Sequence, residues 1–382
     1  MRIIHTSDWH IGRFLNSYSL LKDQEYFLNW LILFLKEEKI DVLIVAGDIY
    51  NKASPSASCV LLLDEFFSKV VLELKKKVII IAGNHDSPEK LGFSSKILER
   101  SGFFISTDLK SIKTITLEKN LKITLLPYIA PYMVKEQFKQ ENILNFSEAI
   151  QFVYEKYLKC LNFSGFSILC AHGLFSYEKE NKKLSFCDSE IEIGGCDVSK
   201  ANFFKKFSYV ALGHLHKAQK VGENAKYSGS PIKYSISEAN NKKQLILLEI
   251  DKKIKTSSVF FSPMRDLKIK KGEFKDLLKE KSLDFVSAKL TDESFVLDPF
   301  NRLKQNYPNL LDIEFLNLKL NFKQDFKIEK NFFREVIWKI LQICCRQKNK
   351  NKRGRIFKKS SGTNGKRRER LKNMRLNRLR IY

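Results

Sequence analysis

The polarity pattern of the first half of this chain repeats one phrase. A short apolar run rich in Ile and Val is followed by a loop, then by a longer stretch with apolar residues every three or four positions. The apolar runs are residues 2–6, 41–46 and 77–82, and the amphipathic stretches are 20–38, 56–74 and 89–101. Continuous apolar strands alternating with amphipathic helices predict an α/β fold whose strands are buried on both faces. Strands are also expected at 114–117 and 122–126, ahead of the turn-forming Pro127 and Pro131. A helix at 147–161 and strands at 166–171 and 209–212 follow. Beyond Gly229-Ser230-Pro231, runs at 244–250 and 256–261 read as the closing strands of the same domain. Near Met264 the pattern changes. Segments at 266–270, 273–280, 285–290 and 312–322 predict a separate, small α/β domain, and no internal repeat is present.

The candidate chemistry sits at the ends of the predicted strands. All six histidines fall in or beside five motifs, counting Gly47-Asp48 among them. The other four read His5-Thr-Ser-Asp8-Trp-His10, Gly83-Asn84-His85-Asp86, Ala171-His172-Gly173 and Gly213-His214-Leu215-His216. In open α/β sheets ligands bind beyond the carboxyl ends of the strands. Asp, Asn and His gathered at such ends are the donor set of a two-metal site. Two cations about 3.5–4 Å apart bind a phosphate and activate a water for in-line displacement. Asp48 is the best candidate for a carboxylate shared by both ions, because Gly47 lets the backbone approach closely. Asn84 offers an amide oxygen to the second ion, which His172 and His214 complete. His216 completes the first, and Asp8 and His10, two apart at a strand end, face the cleft from either side of the turn. His85 is left to act on the substrate, stabilising charge on phosphate or protonating the leaving oxygen. His5 lies inside its strand and is read as a packing or supporting residue. A ligand set without thiolate favours Mn²⁺, Fe²⁺ or Zn²⁺ over Mg²⁺ or Ca²⁺ alone. Taken singly, Asp8 could be a cap, Asn84-His85-Asp86 a turn and His172 a half-buried histidine. Their joint appearance, each after an apolar strand and beside a small residue, points to a metal-dependent phosphoesterase.

Composition adds bounds. The 382 residues are 43% hydrophobic and carry a net charge of +25. From Cys344 onward there are sixteen Lys/Arg against one acid, Glu369, while the preceding 343 residues carry 52 basic and 42 acidic residues. A basic body suits a polyanionic partner, although an A/T-rich coding sequence would produce the same Lys-rich usage. Seven cysteines, with no CxxC pair, exclude a zinc ribbon or thioredoxin-type site and suit a reducing cytoplasm. The first motif begins by residue 5, so no signal peptide is expected, and no apolar run approaches the roughly 20 residues of a membrane span.

The ordered motifs resemble the calcineurin-like metallophosphoesterase superfamily. The segments His5-Thr-Ser-Asp-Trp-His-Ile-Gly12, Gly83-Asn-His-Asp-Ser-Pro88 and Tyr227-Ser-Gly-Ser-Pro231, with Ser237-Glu238, more narrowly resemble its SbcD family of bacterial DNA-repair nucleases. That resemblance runs from Met1 to about Val336. It implies a two-sheet sandwich flanked by helices over 1–263 and a small capping domain over 264–325 that helps shape a DNA groove. It further implies the start of an ATPase-docking helix at 326–343. By the same analogy Asp8, His10, Asp48 and His216 hold one Mn²⁺, Asp48, Asn84, His172 and His214 hold the other, and His85 is catalytic. The family acts as double-strand exonuclease and single-strand endonuclease in DNA repair, recombination and replication. Its partners are DNA and a coiled-coil ATPase, in a heterotetramer built on a homodimer. Asp48 is followed by Ile-Tyr-Asn-Lys-Ala-Ser-Pro55, without the Arg with which related phosphatases grip a phosphomonoester. A phosphodiesterase acting on small nucleotides or phospholipid precursors is the second expectation, and an inactive DNA-binding scaffold the third. The basic tail at 344–382 departs from the family pattern and is expected to be disordered. Three readings compete, a DNA-binding arm, a solvated basic end and an out-of-frame translation, and the abrupt break in composition motivates the last.

Overall fold

The computed structural model describes residues 1–117, 120–176, 184–185, 187, 198–294, 296–318 and 380–381. The apolar runs of the first half pair with one another. Strands β1 (Arg2–Thr6), β2 (Val42–Ala46), β3 (Lys77–Ile81) and β4 (Phe103–Ser106) lie parallel, with Ile3 opposite Val42, Ile44 opposite Ile79 and Ile80 opposite Ile105. Parallel neighbours need crossovers, and α1 (Leu21–Glu37) and α2 (Ala57–Ser68) provide the first two. Helix α1 buries Phe27, Leu28, Leu31 and Leu35, one stripe at helical spacing. Trp9, fully buried, packs edge-on against Phe27 and Phe66 and stacks on Phe67.

A second sheet is built from the middle of the chain. It comprises β5 (Lys113–Thr116), β6 (Lys122–Leu126), β7 (Ser167–His172), β8 (Tyr209–Gly213), β9 (Gln219–Val221) and β10 (Ala225–Tyr227), in the order β9-β10-β8-β7-β6-β5. The chain then returns to the first sheet with β11 (Gln244–Ile250), antiparallel to β1, and β12 (Ile254–Phe260), giving β12-β11-β1-β2-β3-β4. The inner faces of the two sheets share one apolar layer, where Ile3, Ile44, Ile79 and Ile81 meet Ile123, Leu125, Ile168 and Ala211. The other face of the second sheet, with Leu126, Leu169 and Val210, packs on Val134 of α3 (Pro131–Phe138) and Phe146, Ile150 and Val153 of α4 (Phe146–Val153). Each fully buried Ile or Leu is worth about 1.5–3 kcal/mol, so this double layer is a firm base for the loops at its edge. The fold is the expected α/β sandwich of two sheets flanked by helices.

Several elements differ from the sequence pattern. The single helix expected at 89–101 is two short turns, Pro88–Leu91 and Ser95–Leu98, and a 3₁₀ turn. Ser94 breaks it by taking a left-handed backbone, φ 60°. Pro131 does not make a turn but opens α3, where its missing N–H costs nothing. β4, β9 and β10 were not expected. They are only three or four residues long.

By internal contacts the chain divides into Met1–Ile269 with Leu283–Ser287, and Lys270–Ser282 with Ala288–Tyr382. The smaller unit holds β15 (Leu310–Phe315), β16 (Arg380–Ile381) and the final residues of β13 (Leu267–Gly272) and β14 (Phe285–Leu290), strands that form one sheet in the order β13-β14-β15-β16. Phe274, Leu277, Leu303 and Tyr307 are buried in that unit. The helix expected at 273–280 spans Phe274–Leu277, and the strand expected at 312–322 is β15. The ATPase-docking start at 326–343 and all of the basic tail but 380–381 lie outside the described residues. No helix among the described residues is long and apolar enough to cross a membrane.

Candidate active site

Each sheet ends in loops carrying the candidate residues. Asp8 and His10 follow β1, Asp48 follows β2, and Asn84 and His85 follow β3; His172 ends β7, and His214 and His216 follow β8. The structure brings all eight together, while His5 stays inside β1. The first two loops run side by side, with the amide of Asp8 donating to Gly47 O at 3.0 Å and that of His10 to Asp48 O at 2.9 Å. Asp8, His10, Asp48 and His214 all have positive φ, at 55°, 43°, 53° and 111°. Such backbone costs an L-residue on the order of 1–3 kcal/mol and persists where the surroundings enforce it. Gly47, at φ 90°, leaves no room for a side chain unless the His172 ring shifts, because a Cβ would overlap that ring.

Asp48 is the hub. Its Oδ2 lies 3.4 Å from His10 Nε2, 3.6 Å from His172 Nε2 and 4.0 Å from His85 Nε2. The hydrogen bonds around this hub leave acceptors facing acceptors. His172 Nδ1 donates to Ala46 O at 2.8 Å, so its Nε2 is a lone pair, yet that atom sits 3.0 Å from Asn84 Oδ1. His214 Nδ1 is 3.1 Å from the same Asn84 oxygen. His216 Nδ1 faces Glu238 Oε1 at 3.5 Å, which turns its Nε2 toward His10 Nε2, 3.1 Å away. His10 Nδ1 is buried without a partner. Lone pairs crowded in this way are stabilised by a cation between them, so the residues fit a metal pair. Three triads have ligand atoms within 4.8 Å of one another: Asp8–His10–His216, His10–Asp48–His85 and Asp8–Asp48–His172.

Burial sets the protonation of this cluster. It lowers the His10 imidazole well below its ordinary range and brings His214 down to about 3, which keeps both neutral and able to ligate. Burial would raise Asp48, but the His172, His10 and His85 rings and the His85 amide outweigh it and hold the carboxyl below its usual range. Asp8 is raised by burial, against the pull of His172 and His216. Asn84 and His85 are half-buried while the other six are buried. His85 donates its amide to Asp48 Oδ1 at 3.0 Å, and its Nδ1 lies 3.1 Å from the Asn51 carbonyl. Its Nε2 is therefore the ring atom left for chemistry.

The structure adds supporting residues that sequence reasoning gave no role. Asp86 accepts the amides of Gly83, Ile49 and Tyr50 at 2.9, 3.1 and 2.9 Å, tying the β2 and β3 loops together; burial and the Asp48 charge push it up to about 7. Gln24 holds the carbonyls of Trp9 and His10 at 3.0 and 2.8 Å. Ser7 donates to Asp8 and meets Ser228 Oγ at 2.7 Å. Glu238, fully buried, backs His216. Asp86 was visible inside its motif and Glu238 in the Ser237-Glu238 pair, both without a role, but nothing in sequence spacing marks Gln24.

Comparison with known proteins places the chain in a family. Residues 1–218 match the calcineurin-like phosphoesterase family model. A curated relative, the SbcD component of nuclease SbcCD from Staphylococcus epidermidis, is 31% identical over 353 residues, covering 88% of this chain and 93% of that protein. Among solved structures, a dimetal phosphatase from Danio rerio aligns at 12% identity over 69% of this chain and 99% of that one, with a TM-score of 0.39. A Thermus thermophilus protein aligns at 15% identity over 67% and 98%, with a TM-score of 0.38. The chain thus belongs to the calcineurin-like phosphoesterase family, and within it to the relatives of the SbcD nuclease.

Proposed function

We propose that this protein is a metal-dependent DNA nuclease, a phosphodiester hydrolase that works with an SbcC-type coiled-coil ATPase. The observation that carries the reading is the convergence of imidazole nitrogens and the Asn84 oxygen around Asp48, on a chain similar along most of its length to a component of a nuclease. Asp8, His10, Asp48 and His216 would hold one ion, and Asp48, Asn84, His172 and His214 the other. Mn²⁺ suits this mixed oxygen and imidazole set, with Fe²⁺ or Zn²⁺ as substitutes. A bound pair would neutralise a scissile phosphate and activate a water for in-line displacement. The chain's own residues prepare that chemistry. Ala46 O fixes the His172 tautomer, and the His214 amide, 2.9 Å from Asp8 Oδ1, orients that carboxylate. His85, anchored through Nδ1 and only partly buried, would present Nε2 to the phosphate and protonate the departing sugar oxygen. Following the family pattern, the active assembly would hold two copies of this chain and two of the ATPase, with residues 264–325 as the cap.

The test is degradation of end-labelled duplex DNA with and without Mn²⁺, with His85→Ala as control. Metal-dependent cleavage that disappears in the control is expected. Retention of full cleavage by His85→Ala would remove its assigned role. Hydrolysis of bis(p-nitrophenyl) phosphate with no cleavage of DNA, even with the ATPase present, would turn the reading toward a small phosphodiester substrate.

A further inference from the structure

The Ser235–Lys243 segment contains a feature of this site that the ligand chemistry leaves unexplained: a fully buried carboxylate, Glu238, on a turn distant in sequence from most of the ligand loops. It is not itself among the acceptors that crowd around Asp48. Its Oε1 faces His216 Nδ1 at 3.5 Å and accepts from Ser235 Oγ at 3.1 Å and the Tyr234 amide at 3.3 Å. Its Oε2 accepts from Lys243 Nζ. Lys243 reaches back to the same histidine, donating to His216 O at 2.9 Å, and also to Ser230 Oγ at 2.7 Å. The ring of His216 is thus held by the carboxylate and its backbone by the ammonium. Tyr234 completes the brace: its ring lies edge-on to His10 and His216, with centroids 5.5 and 5.4 Å away, and its hydroxyl donates to Trp9 O.

An ion pair this buried needs a reason, since burying two charges costs free energy that their attraction only partly offsets. We propose that Glu238 and Lys243 are positioning residues for one of the two metal ions, the one that His10 and His216 would share. This rests on the two-metal reading above. A carboxylate on Nδ1 of a ligating histidine fixes the tautomer, aims Nε2 and makes it a better donor, and loss of such a partner costs about 10–100-fold in metal affinity. No comparable carboxylate backs His172, whose Nδ1 meets a carbonyl instead. The pair should therefore act on one ion and not on the other.

Stepwise Mn²⁺ titration of the metal-free chain by calorimetry, with electron paramagnetic resonance to detect the coupled ion pair, provides the test. The unmodified protein is expected to bind two ions. Glu238→Ala should weaken one binding step by about 10–100-fold, leave the other in place and abolish the coupled-pair signal at limiting Mn²⁺. Glu238→Gln, which keeps an oxygen toward Nδ1, should lose less. Because Glu238→Ala strands a buried Lys243, the Glu238→Gln/Lys243→Met double variant provides a charge-free version of the same site, with the same one-step loss expected. Tyr209→Phe, which deletes a buried hydrogen bond to His5, controls for lost stability alone. Equal weakening of both steps, or no change in either in a folded variant, would overturn the proposal. Binding of fewer than two ions by the unmodified chain would instead overturn the two-metal reading itself.

Discussion

At the carboxyl ends of β1, β2 and β3 the first sheet places Asp8, His10, Asp48, Asn84 and His85, whereas the second sheet, at the ends of β7 and β8, places only His172, His214 and His216. All the negative charge and the amide oxygen come from one layer, and from the other come imidazoles alone. The two halves are stitched by hydrogen bonds that cross between layers, His172 Nδ1 to Ala46 O and the His214 amide to Asp8. The first layer alone supplies the His10–Asp48–His85 triad, but the other two triads, Asp8–His10–His216 and Asp8–Asp48–His172, each take a ligand from both layers. Packing the apolar faces together is what brings the charged half against the neutral half, so assembly of the sandwich and assembly of the site are one event.

The sharpest way to break this comparison is to remove charge from the first layer. Asp48→Ala deletes a carboxylate that approaches imidazoles of both layers, and activity should fall by more than about a hundredfold, with both Mn²⁺ steps weakened in calorimetry. A variant that still bound two ions tightly would show that Asp48 is not the shared group. His214→Ala removes a neutral ligand from the second layer, and its Nδ1 meets the Asn84 oxygen. One binding step should drop by at least about tenfold, since even supporting partners cost that much, while the other persists. Equal effects from the two variants would erase the distinction between layers. Smaller still is Gly47→Ala, which strains a left-handed backbone and presses on His172 from the first layer. A loss of about 1–3 kcal/mol in unfolding free energy should accompany weaker Mn²⁺ binding.

The same division explains what was legible in the sequence. β1, β2, β3, β7 and β8 are apolar on both faces, so their polarity pattern alone marks them, and each delivers its ligand at the next turn. β9 and β10 have only three residues each, too few for any period to show. The interrupted 88–101 segment keeps a helical pattern, with Phe93 and Ile97 left exposed, because a single left-handed residue leaves no trace in polarity. Ligands are legible because few residue types can replace Asp, Asn or His at a metal. Gln24 acts through approach in three dimensions, and any surface Gln has the same local sequence signature; Glu238 is visible only within the Ser237-Glu238 pair, which carries no sign of its contact with His216.

His5 offers the finest probe of how the two layers are joined. It sits on β1 of the first sheet, fully buried, and both ring nitrogens reach β8 of the second: Nδ1 to Tyr209 Oη at 3.0 Å and Nε2 to Leu212 O at 3.2 Å. A carbonyl only accepts, so Nε2 carries the proton and Nδ1 accepts from the tyrosine. This neutral tautomer is satisfied on both sides, and burial depresses its pKa from 6.5 to about 3. The depressed folded value fixes the sign. Above pH 6.5 the ring is neutral in both states; between 6.5 and 3 the unfolded chain takes up a proton that the folded one refuses, so stability declines as pH falls through that window. His10 and His214 bend the curve the same way, so the contribution of His5 must be read as a difference. In denaturant titrations with chelator present, His5→Gln should be less stable than the unmodified chain at pH 7, and its pH slope through that window should be shallower by up to about 1.4 kcal/mol per pH unit. Identical slopes would mean that His5 does not remain neutral where the sheets meet, and that the layers are joined there by packing alone.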